Sequence, residues 1–550
     1  MKGDRLMTSF QLLDCASKKV KNSLFLINQD DRILFRQGIY HQRGEDIMAQ
    51  GVFDFQYEVE KRSGGMTGLA GLPPYLEFGY VMGLGAAIAN RLKIRGGDQG
   101  WSDEQVVMAL ILLNLAGGDC VSDLSALAGD DGFCQILKGI QGKGLSRKQR
   151  RDLERRLRKG GKSAFPSASS VFRYLNRFHD SEQEKLREPE KSFIPAPNAY
   201  LGALAQVIGD FVASVQRRCP QNMATLDMDA TLVETHKNGA LYCYKHYRAY
   251  QPLNTYWAEQ DLILHSEFRD GNVWAGFEQL RVFKESLDLL PPGVDKVFLR
   301  SDSAGYQHDL LRYCAEGKNE RFGVIEFAIG VKVTDAFKDA VAAVQEWRPL
   351  CHEVKGKLVE TDQEYAELCF VPSEMARKKH GPDYRFLAIR EALKQPALTG
   401  MEDQLNLPFP TMNFGTVKYK VTGMVTNREI AGDELIWWYR KRCGKSEEAH
   451  SVMKEDLAGG KLPSGLFGAN AAWWHIMILA LNLNSAMKRL VLGKTWVSKR
   501  LKAIRFALIN VSGRVLNHAR SLIVRLTGGH PSNGILFEMR RRILKLCESG

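Results

Sequence analysis

Asp227 and Asp229, in the run Thr225–Thr231 (TLDMDAT), are two carboxylates spaced two apart among apolar and small residues. In an extended strand, side chains alternate between faces, so both would point the same way. Like charges on one buried face repel and are costly to desolvate, so such a pair is kept where a cation or a reaction uses it. The alternative is a solvated turn. Further acids follow in order: Asp302, ending the apolar run Lys296–Asp302 (KVFLRSD), and Glu447 or Glu448 in YRKRCGKSEEAHSVMK. Hard cations such as Mg²⁺ take oxygen ligands, and two of them about 4 Å apart suit in-line phosphoryl transfer. Asp227 stands as an alternative ligand or a neighbour of Asp229.

Each acid needs an element to hold it. Residues from Ala224 change to strand character: ATLDMDATLVET, LYCYKHYRAYQPL and NTYWAEQDLILHSEF, with a turn signal at Asn238-Gly239. Gly276–Leu290 has helical period, Lys296–Asp302 is a buried strand, Gln307–Glu316 a helix and Gly323–Val331 another strand. Crossovers through helices call for parallel pairing, and functional residues gather at the strand ends near a switch in strand order. Asp229 and Asp302 should be neighbours there. The stretch 332–430 is strand-rich and predicts an insertion. A helix from Asp433 to about Asp456, irregular near Gly444, carries the glutamates, and the apolar helix Ala469–Leu490 follows.

The 550 residues carry a formal charge of +13 and a pI near 9.1, which suggests a polyanionic partner. The excess is local. Lys488 to the C-terminus holds 14 Lys and Arg against Glu538 and Glu548, and Lys143–Lys162 holds ten against Asp152 and Glu154. Short helices in 103–178 around the second basic run fit either a DNA-reading region or a plain bundle. Prolines at 189, 195 and 197 mark a linker. The ten cysteines show no C-x-x-C and no metal-like histidine spacing, as expected of reduced thiols in a cytosolic protein. Ala471–Met487 is too short and too polar for a membrane span and predicts a buried helix. No nucleotide-binding glycine loop is present.

The three acidic motifs together resemble those of bacterial insertion-sequence transposases of the DDE type, in which a β-strand insertion separates the second Asp from the Glu. LDMDAT matches the first motif, LRSDSAGY the second and YRKRCGKSEEAHSVMK the third, which that group writes Y-(2)-R-(3)-E-(6)-K. Position by position, Tyr439, Arg442, Glu447 and Lys454 match. One departure stands out: four residues separate Arg442 from Glu447, and strict spacing lands on Ser446. A one-residue slip near Gly444 would restore the face.

The resemblance implies an α/β fold: a ribonuclease-H-like mixed sheet flanked by helices and interrupted by a β-rich insertion. A mainly helical N-terminal region and a basic helical C-terminal tail complete it. The expected divisions are 1–198 (DNA-binding), 199–331 with 431–490 (catalytic core), 332–430 (insertion) and 491–550 (tail). It further implies that Asp229, Asp302 and Glu447 hold two Mg²⁺ or Mn²⁺ ions for cut-and-paste transposition. Double-stranded DNA would be the partner, as terminal inverted repeats and as target, bound by a synaptic homodimer in the bacterial cytoplasm at the nucleoid. Tyr439, Arg442 and Lys454 would contact phosphates. Trp347, the one Trp of the insertion, would stack on a flipped base, against the alternative of a sheet-core Trp. A nuclease without joining activity and an inactive DNA-binding descendant are the competing functions.

Overall fold

The computed structural model describes residues 49–50, 56–57, 64–95, 100–141, 151, 155, 164–354, 356–372, 384–393, 409–518 and 521–548. Most of the basic run 143–162 lies outside the described residues. The chain divides into two compact units, Met1–Gly64 and Gly65–Gly550. In the first, the described part is a two-stranded antiparallel pair, Ala49–Gln50 with Gln56–Tyr57.

The second unit is built on one ten-stranded mixed sheet. Its strands are β1 (Met223–Ala230), β2 (Leu253–Trp257), β3 (Leu262–Glu267), β4 (Lys296–Ser301) and β5 (Glu326–Val331). They continue with β6 (Arg348–Val354), β7 (Lys357–Leu368), β8 (Arg385–Ala392), β9 (Thr411–Phe414) and β10 (Val417–Thr426). The order is β6-β7-β8-β10-β5-β4-β1-β2-β3, with β9 on β10. β1, β4 and β5 run parallel, as helical crossovers require, and β2 pairs antiparallel with β1 and forms a hairpin with β3.

One expectation needs correction. LYCYKHYRAYQPL is not a long strand. It is an irregular loop closed by a Tyr242–Arg248 bridge, with His246 at φ 63°; Ala249–Tyr250 forms a short strand paired with Val233–Glu234, and β2 begins at Leu253. The strands of the 332–430 stretch join the core sheet. β10 pairs antiparallel with β5, Ile329 opposite Val425, so they extend the core sheet. An exposed edge at β5 would leave a row of backbone groups unpaired, and these strands cover it.

Helices cover the sheet. The central one is α3 (Phe467–Met487), buried along its whole length as its apolar sequence predicts. It packs on β3 and on the helices α1 (Asp103–Ala116) and α2 (Ala199–Arg218). Its polar residues have defined tasks. Asn482 accepts from the Ile263 amide at 2.9 Å and donates to the Ile263 carbonyl at 2.8 Å, standing in for a missing strand neighbour at the β3 edge. Asn484 accepts from Tyr75 Oη at 2.9 Å. α1 begins with a Ser102–Gln105 capping box and ends at Gly117 in the left-handed region (φ 101°).

The C-terminal tail is not wholly helical. Gly513–His518 and Ser521–Leu526 form a hairpin that pairs with Met66–Thr67, and a helix over Asn533–Glu548 follows. Many of its bases are engaged within the protein: Arg489 with the Glu259 carbonyl, Arg500 with Glu455 and Asp456, Arg505 with backbone carbonyls, Arg540 with Glu77. Acids elsewhere in the chain therefore offset part of the tail's charge. Among the described residues no single helix is long and apolar enough to cross a membrane.

Candidate active site

The parallel register of β1 and β4 sets Leu226 beside Leu299, Asp227 beside Arg300 and Met228 beside Ser301. The motifs L-D-M-D and L-R-S-D thus run side by side, and Asp229 and Asp302 arrive together at the carboxyl ends of adjacent strands. The helix α4 (Gly432–Ser451) crosses this end of the sheet.

Asp227 and Asp229 face that helix, as the strand period predicts, but differ in surroundings. Asp227 is fully buried and both its oxygens are engaged by Arg300, Nε at 2.6 Å and Nη2 at 2.8 Å. Arg300 also donates to the Trp438 carbonyl at 2.7 Å and lies over the Trp438 ring. Asp227 is thus the partner of a buried arginine. Asp229 Oδ2 accepts from Ser446 Oγ at 3.0 Å and Arg442 Nη1 at 3.3 Å, and lies 3.8 Å from His450 Nδ1. Asp302 caps a short 3-10 turn, its Oδ1 accepting from the Ala304 amide at 3.0 Å.

Burial pushes both the Asp229 and the Asp302 carboxyls up, and the neighbouring charge of Asp229 raises Asp302 further. The nearby Arg442 guanidinium acts the other way on both. Two carboxyls held together against their own repulsion are the kind of oxygen donors that a hard divalent ion takes. The Asp229 and Asp302 carboxyls therefore fit such an ion.

The third acid is not brought to this pair. Arg442, Ser446 and His450, four apart, form the helix face turned toward Asp229, so Ser446 occupies the place strict motif spacing assigns to the glutamate. The expected irregularity at Gly444 is not there: the helix is continuous to Ser451, and a π turn follows at Val452–Asp456. Glu447 and Glu448 are exposed. At 100° per residue, Glu447 stands about 60° around the helix from His450, on the rim of the face. Glu448 lies further off, lining a cleft of about 160 Å³ with Tyr256, Asp261, Lys445 and Lys488.

Tyr439 is packed in, its hydroxyl donating to the Ser301 carbonyl at 3.2 Å. Gly330 makes room for it: a Cβ there would lie 3.0 Å from Tyr439 Oη and 3.1 Å from the Ser303 amide nitrogen. Lys454 is half-buried in the π turn. Trp347 is a packing residue in this structure, with the Arg390 guanidinium 4.1 Å from its ring centre and Phe414 edge-on at 5.9 Å.

Sequence reasoning gave no role to Ser446, on which strict spacing lands, and missed His450 and Asn254. The signal available was the spacing of four from Arg442, which puts 446 and 450 on its face. Burial pushes the His450 imidazole down to about 3, helped by the charges of Lys454 and Arg442. Another acidic group, Asp119, Cys120 and Asp123, has its ligand atoms within 4.8 Å of one another. Its geometry is that of a local turn: Asp123 Oδ2 accepts from the Asp119 and Cys120 amides, and Asp119 pairs with Lys461.

A mixed sheet with a β3-β2-β1-β4-β5 core and carboxylates at the ends of its first and fourth strands defines a ribonuclease-H-like protein. The chain belongs to the family described as Transposase DDE domain group 1, whose model matches residues 51–373 and 409–548. It is a family of DNA-cleaving and DNA-transferring enzymes whose chemistry generally depends on divalent metal ions. No curated protein sequence matches the chain significantly. Among solved structures, a similar chain is that of the cryo-EM structure of a piggyBac transposase synaptic complex with hairpin DNA. The two are 12% identical with a TM-score of 0.39, over 82% of this chain and 83% of that one.

Proposed function

We propose that this chain is a cut-and-paste DNA transposase of the bacterial insertion-sequence type, acting as a synaptic homodimer on nucleoid DNA in the cytoplasm. The observation that carries this reading is the convergence of Asp229 and Asp302, with raised proton affinities, beneath one helix face that presents Arg442. Membership of the transposase family supports it. Asp229 and Asp302 hold the cations, and Glu447 completes the ligand set from the rim of the face by swinging its side chain inward. Glu447 is preferred to Glu448, which lines the neighbouring cleft. Asp229, Asp302 and Glu447 would hold Mg²⁺ or Mn²⁺, two ions in this reading, whose positive charge would stabilise an in-line phosphoryl displacement.

The chain's own groups do the rest. Arg442 and Lys454 neutralise phosphate oxygens, and Tyr439 fixes the backbone of Ser301 beside Asp302. Water cuts the strand at the transposon end and frees a 3′-hydroxyl, which then attacks the target DNA. The N-terminal region 1–198 contributes DNA contacts, with the residues flanking the core on the C-terminal side, 491–550.

The test is Asp302→Asn. Cutting of duplexes carrying the transposon end should disappear, while salt-dependent DNA binding persists. Persistent cutting sinks the metal-site reading. A joining assay with pre-cut ends follows, since cutting without insertion would make the protein a nuclease. Glu447→Gln and Glu448→Gln compared side by side assign the third ligand.

A further inference from the structure

A chain of buried polar side chains runs from the core helix α3 to Asp229, and the chemistry of each group fixes its direction. Trp474 Nε1 lies 3.0 Å from Ser266 Oγ, Ser266 Oγ 2.7 Å from Asn254 Oδ1, and Asn254 Nδ2 3.1 Å from His450 Nε2. An indole N–H can only donate, so Ser266 Oγ accepts from Trp474, and its own O–H donates to Asn254 Oδ1. The oxygen of Asn254 must be the end that accepts, which leaves the amide N–H to point at His450. His450 Nε2 is then an acceptor and bears no proton. The single proton of a neutral imidazole must sit on Nδ1, the atom 3.8 Å from Asp229 Oδ2. All four residues are buried.

The strand pairing supplies the placement. Asn254 is the register partner of Asp229 on β2 and of Ser266 on β3, so one rung of the sheet carries three of the participants. His450 comes from the helix face that also presents Arg442 and Ser446.

We propose that Trp474, Ser266, Asn254 and His450 form a one-way hydrogen-bond relay that holds His450 as the Nδ1–H tautomer and so presents a fixed N–H dipole to Asp229. His450 is then a positioning residue for the carboxylate. Partners of this kind orient metal-ligating groups, and their loss costs about 10- to 100-fold in metal affinity or activity. The inference rests on the reading of Asp229 as a cation ligand.

The test uses the full-length protein and two side chains that each copy one ring nitrogen. An asparagine amide N–H stands where Nδ1–H of histidine stands, and a glutamine amide reaches the place of Nε2. Calorimetric titration of the DNA-free protein with Mn²⁺ should find His450→Asn within tenfold of wild type, and His450→Gln weaker by about 10- to 100-fold. Thermal unfolding of both variants checks that they are folded. Glutamine binding Mn²⁺ as well as asparagine does overturns the proposal. Histidine-selective ¹⁵N spectra of the metal-free protein, with the signal assigned by its loss in His450→Asn, give a second readout. They should show a protonated Nδ1 and a bare Nε2, and the opposite tautomer overturns the relay as well. Asp302→Asn in the same titration separates the two readings: if it leaves Mn²⁺ binding intact, the cation site itself fails.

Discussion

Asp227 and Asp229 sit two residues apart on one strand, face one helix and each meet an arginine, yet the two pairs are built differently. Asp227–Arg300 is a two-pronged pair at 2.6 and 2.8 Å, with both side chains almost wholly buried. Asp229–Arg442 is a single contact at 3.3 Å, with the carboxylate side chain 17% exposed. A forked guanidinium–carboxylate pair satisfies both oxygens and leaves nothing to offer a ligand. The looser pair engages only Asp229 Oδ2 and places a guanidinium where a divalent ion would do the same electrostatic service. The difference separates a pair that holds two strands in register from a pair that can be opened.

The sharpest way to break this comparison is to neutralise each aspartate in turn. Asp229→Asn should leave the fold intact and lower strand cleavage by about 10³-fold, several kcal/mol at about 1.4 kcal/mol per decade. Single-turnover cutting of an end duplex measures it. Asp227→Asn should act the other way round. It leaves Arg300 buried with half its partner gone, and breaking a buried pair costs about 3 kcal/mol. Denaturant unfolding should show that loss, while Mn²⁺ affinity of the folded protein changes little. If Asp227→Asn spares stability and abolishes Mn²⁺ binding, the assignment of the two aspartates is reversed.

Much of this pair was legible in the sequence. The alternation of TLDMDAT puts both aspartates on one face, and KVFLRSD ends a buried strand in a carboxylate. Which aspartate takes the arginine was not legible, because it depends on the register of strands 73 residues apart. In hindsight the clue is the alignment of L-D-M-D with L-R-S-D, where each acid-bearing position finds its neighbour in a parallel pair. The helix face was harder. The six-residue gap to Lys454 pointed to Glu447, but an uninterrupted α-helix presents 442, 446 and 450, and nothing local in C-G-K-S tells whether Gly444 bends. That the strands of the insertion extend the core sheet was not legible, because strand propensity says nothing about which edge a strand will join.

The smallest predicted effect tests why Asp229 and Asp302 are together at all. Burial, then the charge of Asp229, raise the Asp302 carboxyl above its ordinary value. The ionised form is therefore disfavoured in the folded state, and wild-type protein gives up stability as pH rises from the unfolded carboxylate range through the raised value. In the presence of a chelator near neutral pH, Asp302→Asn removes that repulsion and should be more stable, by on the order of 1 kcal/mol. Acidification should erase the advantage, because the wild-type carboxyl is then protonated too. Saturating Mn²⁺ should reverse the order, since only the wild type gains the binding free energy of the ion. Asp227→Asn should not show the reversal by Mn²⁺. A metal-free Asp302→Asn protein that is less stable than wild type at neutral pH, or whose advantage grows on acidification, would mean that the two carboxylates do not strain each other.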